Sequence, residues 1–153
     1  MNTKGARILR SIGKTAMFIV SGIIISATVV ATVRADSLSA NFTLCGERRR
    51  VNCVVDGDTF WFQRQKIRIA DIDAPELSPP RCAYEREKGE AAKRRLLALL
   101  NAGPFSLSLN GRDEDRYGRK LRVVARGGRS IGLTLVAEDL AREWSGARKP
   151  WCE

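Results

Sequence analysis

A chain of 153 residues is long enough for one folded domain and too short for two comfortable ones. It contains no histidine, which excludes His-paired general bases and His-ligated zinc and leaves carboxylate, lysine, tyrosine or cysteine for proton transfer. The net charge of +10, from 27 Lys+Arg against 17 Asp+Glu, favours a polyanionic partner, nucleic acid first and anionic surfaces second.

The first 35 residues differ in kind from the rest. Lys4, Arg7, Arg10 and Lys14 precede the apolar run Thr15 to Val33, which ends at Arg34. This reads as an export signal cleaved before Asp36, or as a retained membrane anchor through residues 15–33, because the run exceeds the usual apolar core of roughly 7–15 residues. Either reading places the remaining domain outside the cytoplasm, periplasmic or secreted, with the basic flank inside. Beyond residue 35 the balance is 22 basic to 17 acidic residues, still +5.

Residues 36–48 read as a loose lead-in, and the folded domain is expected over 49–153. All four cysteines, Cys45, Cys53, Cys82 and Cys152, lie beyond the signal, as two disulfides in an exported domain require. Three pairings are open to four cysteines. The expected one joins Cys45 to Cys53 across a short loop and Cys82 to Cys152, tying the chain end to the body.

Short strands are predicted over Arg49–Val55, Thr59–Gln63 and Lys66–Ala70, separated by Asp/Gly and Arg/Gln turn material. In the third, Ile67 and Ile69 alternate with Arg68, so the arginine faces away from the apolar layer. Asp56, Asp58, Asp73 and Glu76 fall in two acidic turns around these strands and supply hard oxygens suited to Ca²⁺ or Mg²⁺. With Arg68 to neutralise the charge that develops on a phosphate, this is the layout of a metal-assisted phosphodiester site. Without histidine, Glu76 is the leading general base.

Asp71–Arg81 holds three prolines and is expected to be a loop. Ala83–Leu100 follows as the strongest helix, with Ala92, Leu96 and Leu99/Leu100 on one stripe. Strands over Phe105–Asn110 and Leu121–Ala125 flank a charged loop at 111–120, and a second helix covers about Ile131–Arg142 after the Gly127-Gly128 turn. Five short strands around a helix suggest an α+β domain built on a small closed or partly open OB-type β-barrel.

Four ordered tracts carry a family resemblance: DGDT at 56–59, IRIADIDAPE at 67–76, EKGEAA at 87–92 and DRYGRKL at 115–121. In this order they resemble the staphylococcal-nuclease-like, or thermonuclease, family from about Val51 to Arg142. The resemblance implies a five-stranded OB-type β-barrel with packed α-helices and Ca²⁺-dependent endonuclease activity on DNA and RNA; the chain is expected to be a monomer. By motif position it implies Asp58 and Asp73 as direct metal ligands, Asp56 close behind, and Ala74 contributing the backbone carbonyl where the family often has threonine. It implies Arg68 and Arg119 as the arginines on the scissile phosphate, Glu76 as base, and Arg116 and Tyr117 as contacts to a substrate phosphate. Past the second helix the family has tyrosines that pack on nucleotide; here Trp144 stands one position out of register and there is no tyrosine. The family's third, C-terminal helix is not expected, and the Cys152 link would take over part of its role.

Blander readings compete with each motif. Asp-Gly-Asp-Thr alone is most often a hairpin turn; Arg68 and Arg119 in matched contexts turn it into a site. Asp113, Asp115 and Gly118 fail as a calcium loop because Tyr117 and Val124 stand where oxygen ligands are needed, which leaves surface ion pairs with Arg112 and Arg116. The helix lysines and arginines, Lys88, Lys93, Arg94 and Arg95, read as a solvated face. The alternative to a nuclease is a non-catalytic OB-fold module that binds nucleic acid.

Overall fold

The structure is a computed structural model and describes residues 35–47 and 49–152. The expected signal or anchor, including the apolar run at 15–33, lies outside these. Among the described residues no helix is long and apolar enough to cross a membrane.

Strands β1 (Thr43–Leu44), β2 (Cys53–Val54), β3 (Thr59–Phe62) and β4 (Gln65–Ile69) are followed by β5 (Ile72–Asp73) and helix α1 (Ala83–Asn101). Then come β6 (Ser106–Glu114), β7 (Lys120–Arg126), β8 (Arg129–Ser130), helix α2 (Ile131–Ala137) and β9 (Arg142–Glu143). β3 and β4 form a hairpin in which Thr59 faces Arg68 and Phe62 faces Gln65. Its two-residue turn holds Gln63 and Arg64 at φ 49° and 68°, the left-handed geometry that matches strand twist, at about 1 kcal/mol or more per non-glycine residue.

β7 lies parallel to β4, with Arg68 opposite Leu121, and β6 pairs antiparallel with β7 across an irregularity between Leu109 and Glu114. The sheet order is β1-β2-β3-β4-β7-β6, with β8 returning onto β7. The α+β class therefore stands, but the sheet is a mixed, seven-stranded one whose hydrogen-bonded path does not close into a five-stranded barrel. Between the lead-in and the entry to β6 there is one isolated bridge, Leu38 to Phe105. The described part of the lead-in, residues 36–47, is not loose: Phe42 is buried against Phe60, Phe62 and Phe105 at ring distances of 5.9, 6.1 and 6.0 Å. Its backbone is held from both sides by the Asn101 amide, at 2.9 and 3.0 Å.

Three further boundaries depart from the sequence pattern. β6 runs on to Glu114, so the first four residues of the expected charged loop at 111–120 are strand. α2 stops at Ala137 because Asp139 takes φ 57°, and the chain then extends to form β9. The Asp71–Arg81 segment is not wholly loop, since β5 within it pairs with β9, Ile72 to Glu143 and Asp73 to Arg142. Both disulfides form as expected, Cys45–Cys53 and Cys82–Cys152.

The buried face of α1 carries Ala92, Leu96 and Leu100 into a core that includes Val54, Ile67, Ile69, Val124 and Leu135. Its basic residues are not simply solvated. Lys88 bonds Asp139 at 3.0 Å and Arg95 grips Glu138 with two bonds of 2.7 and 2.6 Å, locking the helix to the end of α2.

Candidate active site

Helix α1 holds both acidic turns through small residues. A Cβ built on Gly57 would lie 2.6 Å from the Ala92 Cβ and 2.8 Å from the Ala74 Cβ. One built on Gly89 would lie 2.9 Å from Leu77 and 3.2 Å from the Pro75 carbonyl. The Asp56–Thr59 turn thus lies against Ala92, and the Pro75–Leu77 loop against Gly89, one helical turn earlier.

The Asp56–Thr59 tract is a hairpin turn as well as a carboxylate carrier. The N–H groups of Val55 and Asp56 donate to the Thr59 carbonyl at 2.9 and 3.2 Å, and the Asp58 N–H donates to Asp56 Oδ1 at 3.1 Å. Asp58, buried, accepts from Thr59 Oγ1 at 2.8 Å and from the Ala74 N–H at 3.3 Å. Arg68 is 6% exposed despite its charge. Its Nη1 lies 3.2 Å from Asp58 Oδ2 and donates to the Ile69 and Ile72 carbonyls at 2.9 and 3.1 Å, while Nη2 reaches Asp73 Oδ1 at 3.4 Å. As the alternation requires, it faces away from Ile67 and Ile69, into the acidic pair.

Burial, then the neighbouring charge of Asp58, pushes the Asp56 carboxyl up to about 8. Burial also holds Asp73 above the ordinary carboxylate range, although Arg148, Arg68 and Arg142 oppose it.

Glu76 joins this cluster from the loop after β5. Its Oε1 accepts from the Leu77 and Ser78 N–H groups at 3.1 and 3.3 Å, and Oε2 accepts from Arg148 Nη1 at 2.9 Å. Its own N–H donates to Glu85 at 3.4 Å. Glu85, fully buried in the first turn of α1, also accepts from the Arg81 N–H at 2.6 Å and so clamps the loop at both ends. The signal for Glu85 is its spacing of three residues from Cys82, which is the helix N-cap.

Arg119 reaches the same place from β7's approach. Its Nε donates to Asp115 at 2.6 Å, its backbone N–H to the same carboxylate at 3.0 Å, and its Nη1 to Thr59 Oγ1 at 3.4 Å. Asp115 therefore pairs with Arg119, and Asp113 with Lys120 and Arg122, rather than with Arg112 and Arg116, because the turn closed by the Asp115 N–H on the Arg119 carbonyl brings the end of β6 alongside the start of β7. Tyr117 is exposed, with the Arg116 guanidinium 4.8 Å from its ring centre and donating to its hydroxyl at 2.7 Å. Arg68, Arg116, Tyr117, Arg119, Trp144 and Arg148 share one cavity of about 680 Å³.

Two of these cavity residues come from the tail. Trp144 lies with its ring 5.0 Å from the Arg68 guanidinium, fixed by its N–H to the Asp71 carbonyl at 2.9 Å. Arg148, which no sequence spacing marks, faces Asp58 at 3.7 Å, Asp73 at 3.4 Å and Glu76 at 2.9 Å. Burial draws its pKa down, but Asp58, Asp73, Glu76 and Asp56 together outweigh this and leave it raised. Among the described residues no three carboxylates stand in ligating geometry around one point; a guanidinium stands among them instead. Asp58, Asp73 and Glu76 are nevertheless gathered around Arg68 and Arg148, three carboxylates against two positive charges, with Asp56 and Ala74 adjoining through Asp58. That oxygen set and its negative excess fit a hard dication.

A family model described as staphylococcal nuclease homologue matches residues 66–150. Over 93 residues the chain is 34% identical to endonuclease YncB of Bacillus subtilis (strain 168), covering 58% of this chain and 44% of that protein. It is 37% identical over 93 residues to the SPbeta prophage-derived endonuclease YokF of the same organism, covering 58% of this chain and 31% of the relative. The chain spans less than half the length of either relative.

Proposed function

Because the chain belongs to the family of staphylococcal nuclease homologues, we propose that it is an exported, Ca²⁺-dependent endonuclease that hydrolyses phosphodiester bonds of DNA, RNA or both. The observation that carries this reading is the placement of Arg68 between Asp58 and Asp73, with Arg119 arriving at Thr59 beside them. Carboxylates alone suit a structural cation, and arginines alone suit any phosphate. Arginines lining one cavity, with carboxylates directly behind Arg68, suit a phosphodiester gripped while a cation is held next to it.

Asp58 and Asp73 would hold Ca²⁺, with the Ala74 carbonyl beside them and Asp56 behind. The ion, when bound, supplies Lewis-acid charge for a phosphate oxygen and lowers the pKa of a water. Arg68 and Arg119 donate to the non-bridging oxygens as charge grows there, and both are fixed in advance by carboxylates, so little reorganisation is needed. Glu76 accepts the proton of the attacking water. Its Oε1 is engaged by two backbone N–H groups, whereas Oε2 has the single partner Arg148 and is the accepting oxygen. Arg116 and Tyr117 would bind a neighbouring phosphate, and Trp144 offers a flat face to a base. Export is supported by the basic and then apolar N-terminal sequence and by two disulfides, which persist in oxidising compartments.

The test is cleavage of single- and double-stranded DNA and of RNA by the purified protein, disulfides intact, in Ca²⁺, Mg²⁺ and EDTA, beside Glu76→Gln. Ca²⁺-dependent cutting that the substitution lowers by about a hundredfold or more is expected. Binding without cutting in any metal would overturn the reading in favour of a non-catalytic nucleic-acid-binding module.

A further inference from the structure

Arg148 occupies a position that the proposed reaction does not use. Its guanidinium faces Asp58 Oδ2 and Asp73 Oδ1, the same two oxygens that Arg68 engages, and it bonds Glu76 Oε2, the oxygen assigned to the attacking water's proton. The two arginines are otherwise unlike. Arg68 is buried and anchored by two backbone carbonyls. Arg148 has about a third of its side chain exposed, and among the described residues its hydrogen bond to Glu76 is the only one it makes.

The span that carries Arg148 is tied down at both ends. On one side β9 pairs with β5, and the Trp144 N–H is bonded to Asp71. On the other, Trp151 is buried with the Arg142 guanidinium 3.8 Å from its ring centre, Arg142 donates to the Pro150 carbonyl at 2.9 Å, and Cys152 is joined to Cys82 at the N-cap of α1. Between these anchors the span turns at Gly146, φ 93°. The side chain is thus delivered to the acidic cluster by a loop anchored at both ends, and its partly exposed head group also lines the cavity.

We propose that Arg148 is the resident counter-cation of the carboxylate cluster, which a divalent ion must displace, so that this residue sets the affinity of the site for its metal. The inference rests on the reading of Asp58 and Asp73 as metal ligands. A guanidinium and a dication cannot both be neutralised by the same few oxygens. Entry of the ion therefore separates Arg148 from Asp58 and Asp73 and frees Glu76 Oε2, coupling metal binding to release of the base. Holding the ion weakly until substrate phosphate adds its own charge is the expected consequence.

The experiment measures Ca²⁺ binding calorimetrically, and thermal unfolding with and without Ca²⁺, on the full chain with disulfides intact. It compares wild type with Arg148→Ala, with Arg148→Gln, which keeps a donor for Glu76, and with Arg94→Ala on the exposed face of α1 as a charge control. Without metal both Arg148 variants should melt below wild type, since carboxylates lose their partner. Both should bind Ca²⁺ about tenfold tighter or more and gain more in Tm from it, while Arg94→Ala behaves as wild type. Ca²⁺ binding in both Arg148 variants that is equal to or weaker than wild type overturns the role of Arg148 alone. Absence of Ca²⁺ binding in every protein overturns the metal-site reading and this inference with it.

Discussion

Replacing Glu85 with alanine should damage the site without touching any group that meets the substrate. The carboxylate is fully buried, accepts from the Arg81 and Glu76 N–H groups, and sits in the first turn of α1. The Arg81 N–H can turn to water, since that residue is exposed, whereas the Glu76 N–H is in a partly buried stretch. One stranded donor costs about 1–3 kcal/mol, and losing a negative charge at the helix N-terminus costs about 0.3–1 kcal/mol more. A destabilisation of about 1–4 kcal/mol follows, read by urea unfolding. Glu85→Gln, which keeps one acceptor oxygen, should lose roughly half as much. Cleavage below the melting range should show kcat reduced with KM little changed, because the loop that loosens carries Glu76 and not Arg116 or Tyr117. Unfolding within about 0.5 kcal/mol of wild type for Glu85→Ala would refute the clamp.

Arg68 and Arg119 should separate in their stability effects although both serve the phosphate. Arg119→Ala is expected to lower kcat by about a hundredfold to a thousandfold and to melt close to wild type in EDTA, because its one carboxylate partner, Asp115, remains near water. Arg68→Ala should lose comparable activity and also unfold more easily by about 3–5 kcal/mol, since it leaves buried Asp58 and Asp73 with only the partly exposed Arg148 and removes the donor to two carbonyls; equal melting of the two variants would contradict this. Asp115 gives a pH signature. Partial burial raises its pKa, but the Arg119 N–H and guanidinium and the Tyr117 N–H outweigh this and leave it lowered. A carboxylate depressed on folding stabilises above its unfolded pKa of about 3.9 and loses that contribution as pH falls through the folded value. Wild type should therefore exceed Asp115→Asn in Tm at neutral pH and converge with it below about pH 3.9; a gap that widened in acid would count against the pairing.

Much of the site was readable because its parts lie close together in sequence. Asp56 and Asp58, Arg68, and Asp73 to Glu76 occupy two turns and one strand joined by a hairpin, and period-2 alternation correctly turned Arg68 away from Ile67 and Ile69. The α1 stripe was readable for the same reason. Long-range pairing was not. β5 and β9 are two residues each, with no periodicity to announce them, yet their pairing brings Arg142 opposite Asp73 and carries Trp144 and Arg148 to the cluster. The helical pattern through Arg142 misled because Asp139 breaks it by a backbone dihedral that sequence reveals poorly outside glycine and asparagine. Phe42 looked like one apolar residue in a polar stretch, and only the Asn101 amide and three phenylalanine neighbours explain its burial.

The EKGEAA tract shows how a motif can serve a site while supplying none of its chemistry. Gly89 and Ala92 sit three residues apart, so they lie on one face of α1, and each is the contact point for one acidic turn. A larger side chain at Ala92 would press on Gly57, between Asp56 and Asp58; one at Gly89 would press on Pro75 and Leu77, on either side of Glu76. The spacing between Asp58 and Glu76 is thus fixed by a rigid helix rather than by the flexible turns that carry them. The same helix begins at Cys82, whose disulfide anchors the tail bearing Arg148. All three contributors to the acidic cluster are therefore referenced to one element. Their mutual distances then depend on helix packing, and substitutions on the buried face of α1 act on the site as a unit.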